Sequence, residues 1–258
     1  MTTLAHAWGA IRASLESFTF YDIKTMLGLS GLDLTHLAYL EQKPEKGASK
    51  GQLMTAIDSV FGKMSEEERT SFTAILTEEL LKRKPDVEGQ LEEHLSRLGW
   101  SVADGTLIPI ELFDAAELKD FPAESRQDML KAARRFRDGD LSGAISAACG
   151  AVDSVTTKVY CEQNLGDPGS ASFQERCRRA IGARGVIPAL ESELQNLGWK
   201  NEDVIPFKKN FEGALNQGAF VIQTLRSSMG DVHGTKPILR PLVFDSIKWA
   251  ELLIRAIG

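Results

Sequence analysis

The sequence predicts a mainly α protein built from two helical domains. Three observations predict it. Apolar residues recur at spacings of three, four and seven over long stretches, which places them on one face of a helix. Ser and Asp residues with helix-capping chemistry stand just before several of these stretches. Strand-like patterning is confined to one short segment around Asp104-Gly105. The expected division is a domain over residues 1–112, a linker over 113–122 and a second domain over 123–258.

In chain order, residues 3–16 read as a helix, and Phe18, Phe20 and Tyr21 lead into a second one expected to stop near Gly28. Asp33 is the N-cap of a short helix carrying Leu37 and Leu40, and 42–49, with Pro44 and Gly47, is an exposed loop. Ser49 caps a helix with Leu53, Ile57, Val60 and Phe61 on one face, and Ser65 with Glu68 forms a capping box for the next. Lys82, Arg83 and Lys84 fall at that helix's C-terminal end, where cations suit the dipole, so this basic run needs no nucleic acid to explain it. A helix from about Asp86 ends at Leu98-Gly99-Trp100, and Asp104-Gly105 between apolar residues signals a tight hairpin. Helices followed by a small hairpin suit a winged-helix DNA reader, but this half lacks a basic recognition helix, and a protein partner or trigger is the default expectation.

The second half opens with a helix from about Ala123 to Arg137. Asp140 caps the next one, whose apolar stripe runs through Leu141, Ile145, Ala148, Val152, Val155 and Val159. A second edge of that helix, about 100° round, carries Cys149, Asp153 and Tyr160. Gly166-Asp167-Pro168-Gly169 is a turn, Phe173–Ala183 is a basic helix, and residues 187–198 form another, ending in Leu197-Gly198-Trp199. The echo of Leu98-Gly99-Trp100 reads as two helices that share a glycine C-cap. A last helix packs Val243, Ile247, Ala250, Ile254 and Ile257.

Before that last helix, Phe211, Leu215, Ile222, Leu225 and Met229 form a stripe that runs into Arg226-Ser227-Ser228-Met229-Gly230-Asp231-Val232-His233-Gly234. On an unbroken helix Arg226 and His233 would share a face about 10.5 Å apart along the axis. Gly230 and Gly234 are expected to free the backbone so that the imidazole turns back toward the guanidinium. The pair suits cleavage of RNA through its own 2′-hydroxyl. Histidine carries protons near neutral pH, and the planar arginine fork holds phosphate oxygens while charge builds. The alternative is structural: Arg226 caps the helix C-terminus and His233 packs in the following turn.

This string resembles the motif of the HEPN superfamily of all-helical nucleases, and its Gly-Asp-x-His-Gly ending is similar to the C-terminal domain of abortive-infection (phage-defence) proteins. The resemblance covers roughly the second half of the chain. It implies a HEPN-like helical bundle and an endoribonuclease without a cofactor or metal, in which Arg226 and His233 meet their symmetry mates across a homodimer. It also implies a role for Asp153, orienting His233 or pairing with Arg226, with Gly230, Asp231 and Gly234 shaping the motif backbone. Ser227 departs from the Asn common after the Arg, and no Tyr follows His233.

Charge is divided in a way that allows RNA as a partner. The chain has a net charge of −6, but residues 1–120 hold 12 Lys+Arg against 20 Asp+Glu, while 121–258 hold 18 against 16. Arg134, Arg135, Arg137, Arg176, Arg178, Arg179 and Arg184 are the candidates to track an RNA backbone, with ordinary solvation of helix faces as the competing explanation. Cys149, Cys161 and Cys177 have no paired spacing and read as reduced, buried thiols. His36 and His94 lack a partner at ligand spacing. No apolar run approaches a membrane span and no secretion signal is visible, so a cytoplasmic protein is expected. A second function class fits the same sequence: a catalytically silent helical dimer that scaffolds a defence or toxin-antitoxin complex.

Overall fold

A computed structural model describes residues 4–43, 47–112, 115–230 and 236–258. The fold is mainly α, with one two-stranded sheet among the described residues. The chain divides into two compact units, Met1–Glu111 and Leu112–Gly258.

In the first unit the segment expected as one helix begins as a 3-10 turn, Leu4–Ala7, and continues as α1, Trp8–Leu15. Helix α2 spans Phe20–Leu29, and Thr19 caps it by accepting from the Asp22 N–H. It ends beyond Gly28. Gly31 takes a left-handed φ of 86°, and the Leu32 N–H reaches back to the Leu27 carbonyl, a closure that a residue with a Cβ would strain. Capping boxes at Ser49/Gln52 and Ser65/Glu68 start α3, Lys50–Lys63, and α4, Glu66–Arg83. Helix α5, Glu88–Ser96, leads into β1, Trp100–Ala103, and β2, Thr106–Pro109. The strands pair antiparallel with Ala103 opposite Thr106, and Asp104 and Gly105 both have positive φ, 49° and 69°, as a two-residue primed turn requires.

The core of this unit gathers Leu4, Ile11, Ile23, Ile57, Leu76 and Leu95. At its edge Trp8 stacks on Phe61 at 4.7 Å, and Asp58 accepts from Trp8 Nε1 and Arg12 Nε. Of the aromatic residues entering α2, Phe20 is buried and Tyr21 is exposed.

The second unit begins at Leu112 and takes in the segment 113–122 expected as linker. That segment carries a short helix α6, Ala115–Leu118, and Leu118 and Phe121 are buried. Helices α7, Ala123–Arg137, and α8, Leu141–Gln163, follow. Gly139 turns between them at a φ of 83°, and Asp140 caps α8 by accepting from the Gly143 N–H. Helix α9 spans Phe173–Ala183, α10 Val186–Asn196, α11 Asn201–Met229 and α12 Arg240–Ile257. Pro241 lies inside the first turn of α12, where its missing N–H leaves nothing unsatisfied.

Helix α8 is the centre of this unit and packs against α7, α9, α11 and α12. Its buried positions are mostly small, Gly143, Ala144, Ala147, Ala148 and Ala151 among them, so neighbouring backbones approach closely. The Ser125 hydroxyl of α7 donates to the Ala151 carbonyl at 2.9 Å. The stripe on α12 is buried as the spacing predicts: Val243, Ile247, Ala250, Ile254 and Ile257 are all at or below 1% exposed. Among the described residues no helix is long and apolar enough to cross a membrane.

Candidate functional site

Asp153 is the hub of the site. It stands on α8 one turn after Cys149, on the edge that the helical period separates from the Val152 and Val155 stripe. Its Oδ2 accepts from Arg226 Nη1 at 2.8 Å and its Oδ1 from Arg176 Nη2 at 2.6 Å. One carboxylate therefore joins α8 to α11 and to α9. The three side chains differ in exposure: 18% for Arg176, 25% for Asp153 and 45% for Arg226. Arg226 is the one turned to solvent.

Local structure explains the placement. The last turn of α11 is tied to the first turn of α8 by the Ser142 hydroxyl, which donates to the Met229 carbonyl at 2.9 Å. Gly230 ends α11, where the sequence suggests that glycine frees the backbone to leave the helix. Its φ is −69° and ψ 160°, an extended conformation open to any residue. Glycine is required there for space: a Cβ would lie 2.5 Å from the Arg226 carbonyl oxygen and 3.2 Å from Ser146 Oγ. Asp231, His233 and Gly234 lie outside the described residues.

Helix α9 is stapled to α11 at its start. The Gln174 N–H donates to Gln223 Oε1 at 3.0 Å, and Gln174 Nε2 donates to the Asn216 carbonyl at 3.2 Å. Nothing in the sequence signals this contact, because the partners are 49 and 42 residues apart and glutamines on exposed-looking helix faces carry no spacing rule.

Two of the three thiols flank the hub. Cys149 and Cys177 are buried, and burial pushes both up to about 12. The Asp153 charge adds to the rise of each, while Arg226 and Arg176 respectively oppose it. Cys161 differs from the expectation of three buried thiols. It is exposed, because its position on α8 points away from the packed faces of that helix. Beside Asp153 a cleft of about 720 Å³ opens, lined by Pro122, Glu124, Ser154, Thr157 and Lys158.

The seven arginines proposed to track RNA do not form one surface. Arg135 and Arg137 meet Asp140 and Asp138 at the start of α8. Arg184 meets Glu162 and the Ile257 carbonyl at its end, roughly 30 Å away along a helix of this length. The Arg137 side chain is only 2% exposed, which removes it from any backbone-tracking role. Arg178 and Arg179 share Glu175, whose carboxyl they hold down to about 2 through hydrogen bonds and charge. Arg176 serves Asp153. Arg134 remains exposed on α7.

His36 and His94 are exposed, and no group of three or more His, Cys, Asp or Glu among the described residues could hold a metal ion. No family model, curated protein or solved structure matches this chain.

Proposed function

We propose that the C-terminal unit is a metal-independent endoribonuclease of the HEPN type, acting in phage defence by abortive infection or as a toxin. The observation that carries the reading is the 2.8 Å pair between Arg226 and Asp153, which brings the motif arginine onto the acidic residue of α8. In this reading Arg226 binds non-bridging phosphate oxygens through its planar fork, and Asp153 orients it. His233 takes the proton of the RNA 2′-hydroxyl as that oxygen attacks phosphorus. The bond from phosphorus to the 5′-oxygen breaks, a second imidazole protonates the leaving oxygen, and the products carry a 2′,3′-cyclic phosphate and a 5′-hydroxyl. One subunit supplies one motif histidine for two proton transfers, so the active form is a homodimer. The N-terminal unit, acidic in balance, serves to bind a protein partner or sense a trigger.

A second reading, the silent scaffold in a defence or toxin-antitoxin complex, is favoured by one feature. Helix α10 has no buried residue, and Leu197, Ile205, Phe220 and Val221 on or beside α10 and α11 are 41–77% exposed. Such a surface suits assembly.

The experiment that separates them is cleavage of a labelled single-stranded RNA by EDTA-treated protein, with product ends analysed. The nuclease reading expects cyclic phosphate ends. It expects His233→Ala to lose roughly 10²- to 10⁴-fold in cleavage with RNA affinity retained. Arg226→Lys, which keeps charge but loses the fork, should lose most cleavage as well. Unchanged cleavage by folded His233→Ala would sink the catalytic assignment, and no cleavage by wild-type protein favours the scaffold.

A further inference from the structure

We infer that Arg176 is a positioning residue for Arg226, acting through Asp153. The inference rests on the nuclease reading only for its consequence in catalysis; the geometry stands apart from it. An aspartate carboxylate turns readily about its last torsion, which is broad and two-fold, so a guanidinium paired to one oxygen swings with it. Asp153 cannot swing. Its Oδ1 is taken by Arg176 at 2.6 Å and its Oδ2 by Arg226 at 2.8 Å, so the plane of the carboxylate is set by two partners on different helices.

Arg176 is itself anchored. Its side chain is 18% exposed, and its guanidinium lies over the buried Phe173 ring at 6.0 Å. It sits in the first turn and a half of α9, the end that Gln174 staples to Gln223 and Asn216 of α11. The staple fixes the distance between the helices that carry the two arginines, three residues from Arg226 on one side and two from Arg176 on the other.

The arrangement is not the one that best satisfies Arg176. Its Nε is buried and finds no partner among the described residues, although a guanidinium set for stability alone would use that donor. What the pose achieves is an end-on hold on Oδ1 that leaves Oδ2 for Arg226. Burial separates the roles: the shielded arginine fixes the carboxylate, and the exposed one faces the ligand. In the nuclease this aims Arg226 at a phosphodiester, where a small misplacement of a positioned group costs up to about 100-fold in rate.

The test uses the full-length chain and reads Arg226 directly. In nitrogen-15 NMR spectra the guanidinium signals of Arg226 are assigned by their loss in Arg226→Lys, and Asp153→Asn sets the shift expected when the hold is broken. Arg176→Gln should shift the Arg226 signals by at least half as much, and Arg176→Lys, which keeps a charge near Oδ1 but loses the fork, should leave them between those of wild type and Arg176→Gln. Arg226 signals unmoved in Arg176→Gln while they move in Asp153→Asn overturn the proposal. Should Arg176→Gln fail to fold, Arg176→Lys decides. A point charge replaces the fork, so a shift between those of wild type and Asp153→Asn supports the inference and wild-type signals overturn it. A cleavage arm is read separately: kcat for single-stranded RNA should fall about 10- to 100-fold in Arg176→Gln with KM within about 3-fold. Absence of cleavage by wild-type protein would refute the nuclease and leave the spectroscopic answer about Arg176 intact.

Discussion

Burial and pairing give identical side chains different chemistry in this protein. Cys149 and Cys177 are buried and pushed up to about 12, so at pH 8 they are neutral, shielded thiols, while Cys161 is exposed on the same helix as Cys149. A thiol reagent is therefore expected to titrate one cysteine per native chain at pH 8 and three after denaturation; rapid reaction of two or more in the native state would contradict the placement. Glu175 shows the opposite case. Hydrogen bonds from Arg178 and Arg179 hold it down to about 2, below its ordinary 4.5. A depressed carboxyl contributes stability above its unfolded value and loses it as pH falls through the folded one, so this clamp on α9 should fade only between pH 4.5 and about 2. The carboxyl carbon of Glu175, followed by NMR, should titrate near 2 in the wild type and move toward 4.5 in the Arg178→Ala, Arg179→Ala double variant.

Helix boundaries follow from short-range chemistry, whereas helix contacts follow from shape. The serine caps of α3 and α4 and the aspartate caps at Asp33 and Asp140 act within three residues, and they are legible for that reason. The approach of α11 to α12 is not legible in this way. Gly218 lies buried on α11 with the Trp249 ring of α12 against it, and a Cβ there would sit 2.1 Å from Trp249 Cε3. Gly218→Ala should therefore destabilise the C-terminal unit by about 1–3 kcal/mol, despite alanine's better helix propensity, because the ring or the helix must shift. Gly213→Ala, on the same helix with nothing within 4 Å of the added carbon, is the control and should be neutral or stabilising in urea melts.

At the scale of the molecule, assembly and RNA binding are the expectations to measure. The nuclease requires two motif histidines at one phosphate, so light scattering at micromolar concentration should give the mass of a dimer; a monomer that still cleaves RNA would contradict this design. RNA affinity should fall with salt in proportion to the phosphates neutralised, at about 0.7 logarithmic units per phosphate for a single strand. The division of the basic residues between the two ends of α8 predicts a shallow slope, from few phosphates at the Arg226 end, with Arg184→Gln leaving affinity nearly unchanged. A steep slope that drops in Arg184→Gln would show that the arginines act together after all.

The sequence by itself determined the helical class, most helix starts and the Asp104-Gly105 hairpin. All of these rest on patterns within a few residues, whereas Asp153 and Arg226 lie 73 residues apart and are linked in the sequence only through the family resemblance. Only the tertiary structure decided that Arg176 shares Asp153 instead of facing an RNA strand, that Gly230 is needed for space, and that the Arg137 side chain is shielded from solvent. The pair of Asp153 with Arg176 joins residues 23 apart, and the space at Gly230 is narrowed by Ser146 of α8, 84 residues away, as well as by the nearby Arg226 carbonyl. Over such separations helical period and capping chemistry carry no information, because the partner of a side chain is chosen by which helix faces fit together.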